Sequence, residues 1–444
     1  MRHPNLSRRV LTALAVVGIV GGVSGCAAQG EPAESEPIEI WSRSAPDGAA
    51  TYEEVFKAFT KKTGIEVNYQ PVMEFDTQLQ SRAASKDLPD MWINDAGLMG
   101  TYNAQGWLSP VTVTDFAGHD QISDDTWDQN VAPDGATYGV PWSRQAFATV
   151  IRKDWREKLG YEVPKNWDDL ADLAHAFATE DPDGNGKDDT SGMVVPGTAQ
   201  NGYIGWWASS YIWQAGGDLI EPTGDGKYKS VINSPETAKA ATWIKDRFCR
   251  AGDVVPGSLN YTTTEAKFFA EGTAGIYLTG PYMWPGYDQA VGRENVEVIP
   301  MPEGPAGTTV LAEGENIYFG AGSDKSESQK KLAEFLISPD AQKIAMTPVK
   351  TSTGGISQPV VRLPVNTEVD VVKVTGDDRW KVIQDSYVND SKTYVWGINF
   401  QPFRQALGEG LNAIVADCSS DVTAGLSNID QEFTAELKEQ GLVE

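Results

Sequence analysis

The residues from Asp181 to Asp189 carry the pattern best suited to a metal ion. Asp181-Pro182-Asp183-Gly184-Asn185-Gly186-Lys187-Asp188-Asp189 offers oxygen ligands at places one, three, five and nine of a calcium loop, with Lys187 at place seven and glycine at place six. Place twelve is Gly192, where a bidentate glutamate belongs, so the loop is half of an EF-hand and another part of the chain would have to complete it. An acidic loop closed by Asx turns accounts for the same residues without a metal. Either way the role is structural. Imidazole chemistry is scarce: the chain has three histidines, one of them His3 near the start, leaving His119 and His175. A multi-histidine metal centre is therefore impossible, and neither residue sits in a nucleophile motif.

The three cysteines divide into two kinds. Cys26 closes Val23-Ser24-Gly25-Cys26, a lipobox that follows Arg2, Arg8, Arg9 and the apolar run from Val10 to Val23. That run is about 14 residues, short of the roughly 20 a spanning helix needs. The expectation is a cleaved secretory leader, residues 1–25, and a mature chain held to the outer face of a membrane by acyl chains such as palmitate on Cys26, each buried methylene contributing about 0.8 kcal/mol. Ser7-Arg8-Arg9 resembles part of a twin-arginine signal without the phenylalanine two places on, which leaves Sec or Tat export open. Cys249 and Cys418 remain, in a compartment where a pair persists as a disulfide; two separate thiols are the alternative.

The elements that must position any site begin after a tether, Ala27 to Pro37, rich in Ala, Glu, Ser and Pro. Ile38-Glu39-Ile40-Trp41 alternates as a strand does, Tyr52, Val55, Phe56 and Phe59 recur at helical spacing, Gly64 ends that helix, and Ile65 to Tyr69 alternates again. Strand, helix, strand predicts an α/β fold with a parallel sheet. Ser234-Pro235-Glu236 and Ser338-Pro339-Asp340 are helix starts, and Ala274 to Leu278 and Asn316 to Gly320 are short apolar strands. About 400 residues exceed what one core sustains, so two lobes are expected. The formal net charge of −26, more negative by three once the leader arginines are removed, excludes nucleic acid as a partner. No Walker loop occurs, because Asp188 follows Gly186-Lys187, and no complete dinucleotide glycine fingerprint is present.

The order of these signals resembles the extracellular solute-binding proteins that include the maltodextrin-binding protein. The pieces are Phe59-Thr60-Lys61-Lys62-Thr63-Gly64-Ile65-Glu66-Val67, Leu88-Pro89-Asp90-Met91-Trp92, Tyr138-Gly139-Val140-Pro141-Trp142 leading to Arg152-Lys153-Asp154, and Pro164-Lys165-Asn166-Trp167-Asp168-Asp169-Leu170. Phe268-Phe269-Ala270-Glu271-Gly272-Thr273-Ala274-Gly275-Ile276, Thr279-Gly280-Pro281-Tyr282 and Ala333-Glu334-Phe335-Leu336 complete the series. The resemblance covers nearly all of residues 38 to 444. It implies a periplasmic-binding-protein-like fold of type II, two α/β lobes joined by a hinge, with residues 38–143 plus 316–345 in lobe 1 and 147–312 plus 350–444 in lobe 2. The chain would cross near 143–147, 310–316 and 341–356. A monomer is expected, delivering a sugar or oligosaccharide to the permease and ATPase of an ABC importer.

A sugar offers flat apolar faces edged by hydroxyls, which suits aromatic rings and planar polar groups. The resemblance points to Arg43 and Asp47 after the first strand, Asn94 and Asp95 after the third, and Trp142, Arg144 and Gln145 at the first crossing. It points further to Trp206 and Trp207, of which one belongs in a core, to Tyr282 and Trp284 as a stacking pair, to Glu313 and Asn316 at the second crossing, and to Phe400 and Arg404. Solvated loop charges, turns and core packing are the competing readings of these residues. A glycoside hydrolase with two opposed carboxylates is the rival from another class, and a cationic solute such as a polyamine is the rival ligand.

Overall fold

The computed structural model describes residues 37–443, apart from residues 45, 352 and 353 and the side chains of 46, 47 and 264–266. The leader, Cys26 and the tether up to Glu36 lie outside the described residues. Strands β1 (Ile38–Ser42), β2 (Val67–Pro71) and β3 (Met91–Asp95) pair in parallel, with β1 in the middle. Between β1 and β2 runs the helix Pro46–Thr63, whose Tyr52, Val55, Phe56 and Phe59 are all buried, as their spacing predicts. Gly64 follows it at φ 74°, a conformation that costs a residue without a Cβ little.

The next strand, β4 (Val140–Ala146), belongs to the same sheet, while β5 (Ala148–Arg152) belongs to another. Phe147 alone separates them, so one residue carries the chain from sheet to sheet. The second sheet takes β6 (Ser191–Val194), β9 (Ala274–Thr279) and β10 (Val296–Ile299) in the order β10-β5-β9-β6; β7 (Ile220–Gly224) and β8 (Lys227–Ser230) form a separate hairpin. The chain then returns to the first sheet with the long β11 (Val310–Phe319), to which β12 (Leu363–Pro364) and β13 (Ser391–Lys392) are added. Along the larger sheet the order is β12-β4-β11-β3-β1-β2, with β13 beside β11.

The α/β reading stands, with one correction: β11 runs antiparallel to both β3 and β4, so the larger sheet is mixed and not purely parallel. Two short strands from beyond residue 350, a stretch expected in lobe 2, also join this sheet. Helices obey their start signals. Ser234 Oγ accepts from the Thr237 backbone N–H at 3.0 Å ahead of Pro235–Cys249. That helix ends at Cys249, which forms a disulfide with Cys418 across 169 residues of sequence, the Cα atoms 5.7 Å apart. Among the described residues, no helix is long and apolar enough to cross a membrane.

Candidate functional site

Where β4 and β11 lie side by side, Gln145 is opposite Glu313 and Ser143 is opposite Glu315. Successive side chains of a strand point to opposite faces. Ser143, Gln145, Glu313 and Glu315 accordingly share one face, and it lines a cavity of about 230 Å³. Gly314 lets the two strands approach: a Cβ there would come within 2.6 Å of the Ser143 carbonyl oxygen. The cavity wall is completed by Arg43 after β1, Asp95 at the end of β3, Tyr203 and Trp206 from the helix Tyr203–Gln214, Tyr282 from the turn after β9, Thr263, Arg362, and Arg404 from the helix Gln401–Ala416. Strands of both sheets therefore lead into it.

The polar groups are held by one another. Trp206 Nε1 donates to Glu313 Oε1 at 2.5 Å, and Gln145 Nε2 donates to Glu313 Oε2 at 3.2 Å. Burial pushes the Glu313 carboxyl up to about 7, with nearby Asp95 adding to the shift and Arg404 opposing it. Arg362 and Glu315 meet as an ion pair at 3.0 Å. Burial works against the Arg43 guanidinium, but Asp95 and Glu315 outweigh it and hold its pKa above the ordinary value. Burial also raises the Tyr282 hydroxyl, which keeps its proton and can donate. The wall sets the guanidiniums of Arg43, Arg362 and Arg404 against the carboxyl groups of Asp95, Glu313 and Glu315, of which Glu313 is only partly ionised at neutral pH.

Seven of the residues singled out in the sequence come together here: Arg43, Asp95, Gln145, Trp206, Tyr282, Glu313 and Arg404. Phe400 lines a smaller extension with Tyr394, Trp396 and Arg404. The side chain of Asp47 lies outside the described residues. Five others are corrections, and Trp207 is the member of its pair that packs in a core, as expected of one of the two. Asn94 turns away from Asp95 and donates to the Tyr102 hydroxyl at 2.7 Å. Trp142 is fully buried, stacked on Tyr52 at 6.3 Å. Arg144 lies over the Trp396 ring and donates to Gln129 Oε1 at 3.0 Å. Asn316 donates to Asn130 Oδ1 at 2.8 Å in the interior. Trp207 packs on Tyr211 at 4.7 Å. Trp284, read as half of a stacking pair, is only 2% exposed and packs edge-on to Trp380 at 5.2 Å. In each case the neighbour one or two places away faces the cavity, and the repeat of the strand or helix turns this one inward.

Ser143, Tyr203, Thr263, Glu315 and Arg362 were missed. Glu315 had a usable signal, since it stands two places after Glu313 on a strand and so shares its face. Arg362 had none; it arrives from a segment far along the chain.

The acidic loop closes on itself. Asp181 accepts from the backbone N–H groups of Gly184, Asn185 and Gly186, and the Asn185 amide donates to Asp183 Oδ2 at 2.7 Å and to Asp189 Oδ1 at 3.1 Å. The backbone N–H of Lys187 donates to Asn185 Oδ1 at 2.8 Å. The geometry thus sets an amide among the carboxylates expected to hold calcium, and among the described residues no three acidic, histidine or cysteine side chains are grouped to hold a metal. His175 Nδ1 lies 3.0 Å from Oδ1 of the buried Asp253, and His119 Nδ1 lies 2.8 Å from the Phe116 carbonyl oxygen.

Comparison with known proteins points the same way. The lipoprotein LipO of Bacillus subtilis is 31% identical over 178 residues, 38% of this chain and 35% of that protein. The polygalacturonan/rhamnogalacturonan-binding protein YtcQ of the same organism is 25% identical over 295 residues, 61% of this chain and 56% of the other. The chain thus spans about a third and about half of the lengths of these relatives. An ABC transporter solute-binding protein of Thermotoga lettingae, crystallised with alpha-D-tagatose, superposes with a TM-score of 0.75 at 21% identity, covering 91% of this chain and 100% of that one. This likeness establishes the fold as periplasmic-binding-protein-like, two α/β lobes about a hinge. The family model described as bacterial extracellular solute-binding protein matches residues 43–343. That stretch is more than half of the sequence, and the chain belongs to the bacterial extracellular solute-binding proteins, a family of binding proteins and not of enzymes.

Proposed function

We propose that this protein captures a sugar or small oligosaccharide in the cavity between its sheets and hands it to the permease and ATPase of an ABC importer, as a monomer tethered to the outer face of a membrane by lipid on Cys26. The observation that carries the reading is the wall itself, where the indole of Trp206 and the phenol rings of Tyr203 and Tyr282 stand among three carboxylates and three guanidiniums. Rings suit the apolar faces of a sugar and the planar charged groups suit its hydroxyl edges. A polyamine is disfavoured, because its cations would meet at least as many guanidiniums as ionised carboxylates. The relatives support the reading through what they are named for: binding of polygalacturonan and rhamnogalacturonan in one, lipoprotein character in the other. Delivery follows from closure: a solute that touches both lobes only when they shut shifts the population by its differential affinity, and an importer can then tell loaded from empty protein.

A thermal-shift screen over mono-, di- and oligosaccharides tests this. A carbohydrate that binds with one-to-one stoichiometry and raises Tm without being turned over is the expected result. Turnover, or a shift only with polyamines, refutes it.

A further inference from the structure

We propose that the solute is an uncharged sugar, whose hydroxyls bridge two split pairs of guanidinium and carboxyl group, Arg43 with Asp95 and Arg404 with Glu313. This rests on the carbohydrate reading above and narrows it. Of the three guanidiniums on the wall, Arg362 closes an ion pair, with Glu315 at 3.0 Å. Arg43 and Asp95, and Arg404 and Glu313, act on each other electrostatically, yet among the described residues neither pair closes into an ion pair. A gap between a guanidinium and a carboxylate is what a hydroxyl fills, since it accepts from the one and donates to the other. A charged ligand group cannot do both. An ammonium would satisfy the carboxylate and face the arginine with like charge, and a carboxylate would do the reverse.

The buried atoms without partners repeat the pattern. Gln145 Oε1 and Glu315 Oε2 are acceptors, Arg362 Nε and Arg404 Nε are donors, and all four belong to the wall. Burying such atoms unpaired costs about 1–3 kcal/mol each, which a ligand with both functions relieves at every one.

Isothermal titration of the mature protein near neutral pH, against neutral hexoses, hexuronates, hexosamines and disaccharides, tests the proposal. The expected result is that at least one neutral hexose or disaccharide binds, that its uronate and amino counterparts bind about 100-fold more weakly or not at all, and that its Kd changes less than about twofold between low and high salt. Arg43→Gln and Arg404→Gln should each weaken that sugar about 10- to 100-fold while circular dichroism reports an unchanged fold. A uronate or hexosamine that binds more tightly overturns the charge assignment. If no carbohydrate of any class binds, it is the broader carbohydrate reading that falls, and the two failures are thereby told apart.

Discussion

Glu313 accepts from the Trp206 indole N–H and feels nearby Asp95, and burial raises its carboxyl to about 7 from an ordinary value of 4.5. The folded protein therefore holds a proton that the unfolded chain releases between those two values, and stability falls as pH rises through that window. Fully ionised, the group destabilises the empty protein by about 3 kcal/mol. Glu313→Gln should flatten this part of the profile, with a Tm above that of the wild type at pH 8 and close to it at pH 5; equal slopes in calorimetry would refute the assignment. The two tryptophans read alike in the sequence should also part company. Trp284→Ala, in the interior, should cost about 3–5 kcal/mol in denaturant titrations and spare affinity, whereas Trp206→Ala should weaken ligand binding well beyond its effect on stability. Of the seven wall residues named in the sequence, Arg43, Asp95, Gln145, Tyr282 and Glu313 follow strands or stand at crossings, where ligands of such folds gather, while Trp206 and Arg404 came from the family resemblance alone. The same rule named Trp284 and could not see Trp380, nearly a hundred residues on, filling the space on its other side.

Two elements set the cavity's far wall, and both depend on close approach. The helix Tyr203–Gln214 starts at Gly202, φ 66°, against the backbone carbonyl and Cγ of Arg404. Gly202→Ala should destabilise the protein by about 1–3 kcal/mol through the left-handed backbone alone, and should loosen ligand binding by displacing Arg404. A second restraint is Cys249 to Cys418, which ties the end of Pro235–Cys249 to the stretch just beyond Gln401–Ala416. Closing a loop of 169 residues in the unfolded chain should contribute about 5 kcal/mol, so reduction or a Cys249→Ser, Cys418→Ser double variant should lower the denaturant midpoint sharply. Helix boundaries were legible from their caps and spacing, the antiparallel course of β11 was not. A strand's direction is settled by its neighbours, and its alternation reads the same either way.

For the whole molecule, closure about the crossings predicts a smaller radius of gyration in solution scattering with ligand than without, and unchanged scattering would count against a hinge. Anchoring predicts that Cys26→Ser moves the protein from the membrane fraction to the medium. The sequence by itself determined the α/β class, the starts of the helices, the extreme negative charge and a short list of loops, because each of these rests on periodicity or composition within a few residues. Only the tertiary structure decided which residue of each adjacent pair faces the cavity, and it alone brought Arg362 to Glu315 and set three guanidiniums against three carboxylates. The physical reason is that a side chain's direction depends on register and packing against segments far along the chain, and no local pattern carries that information.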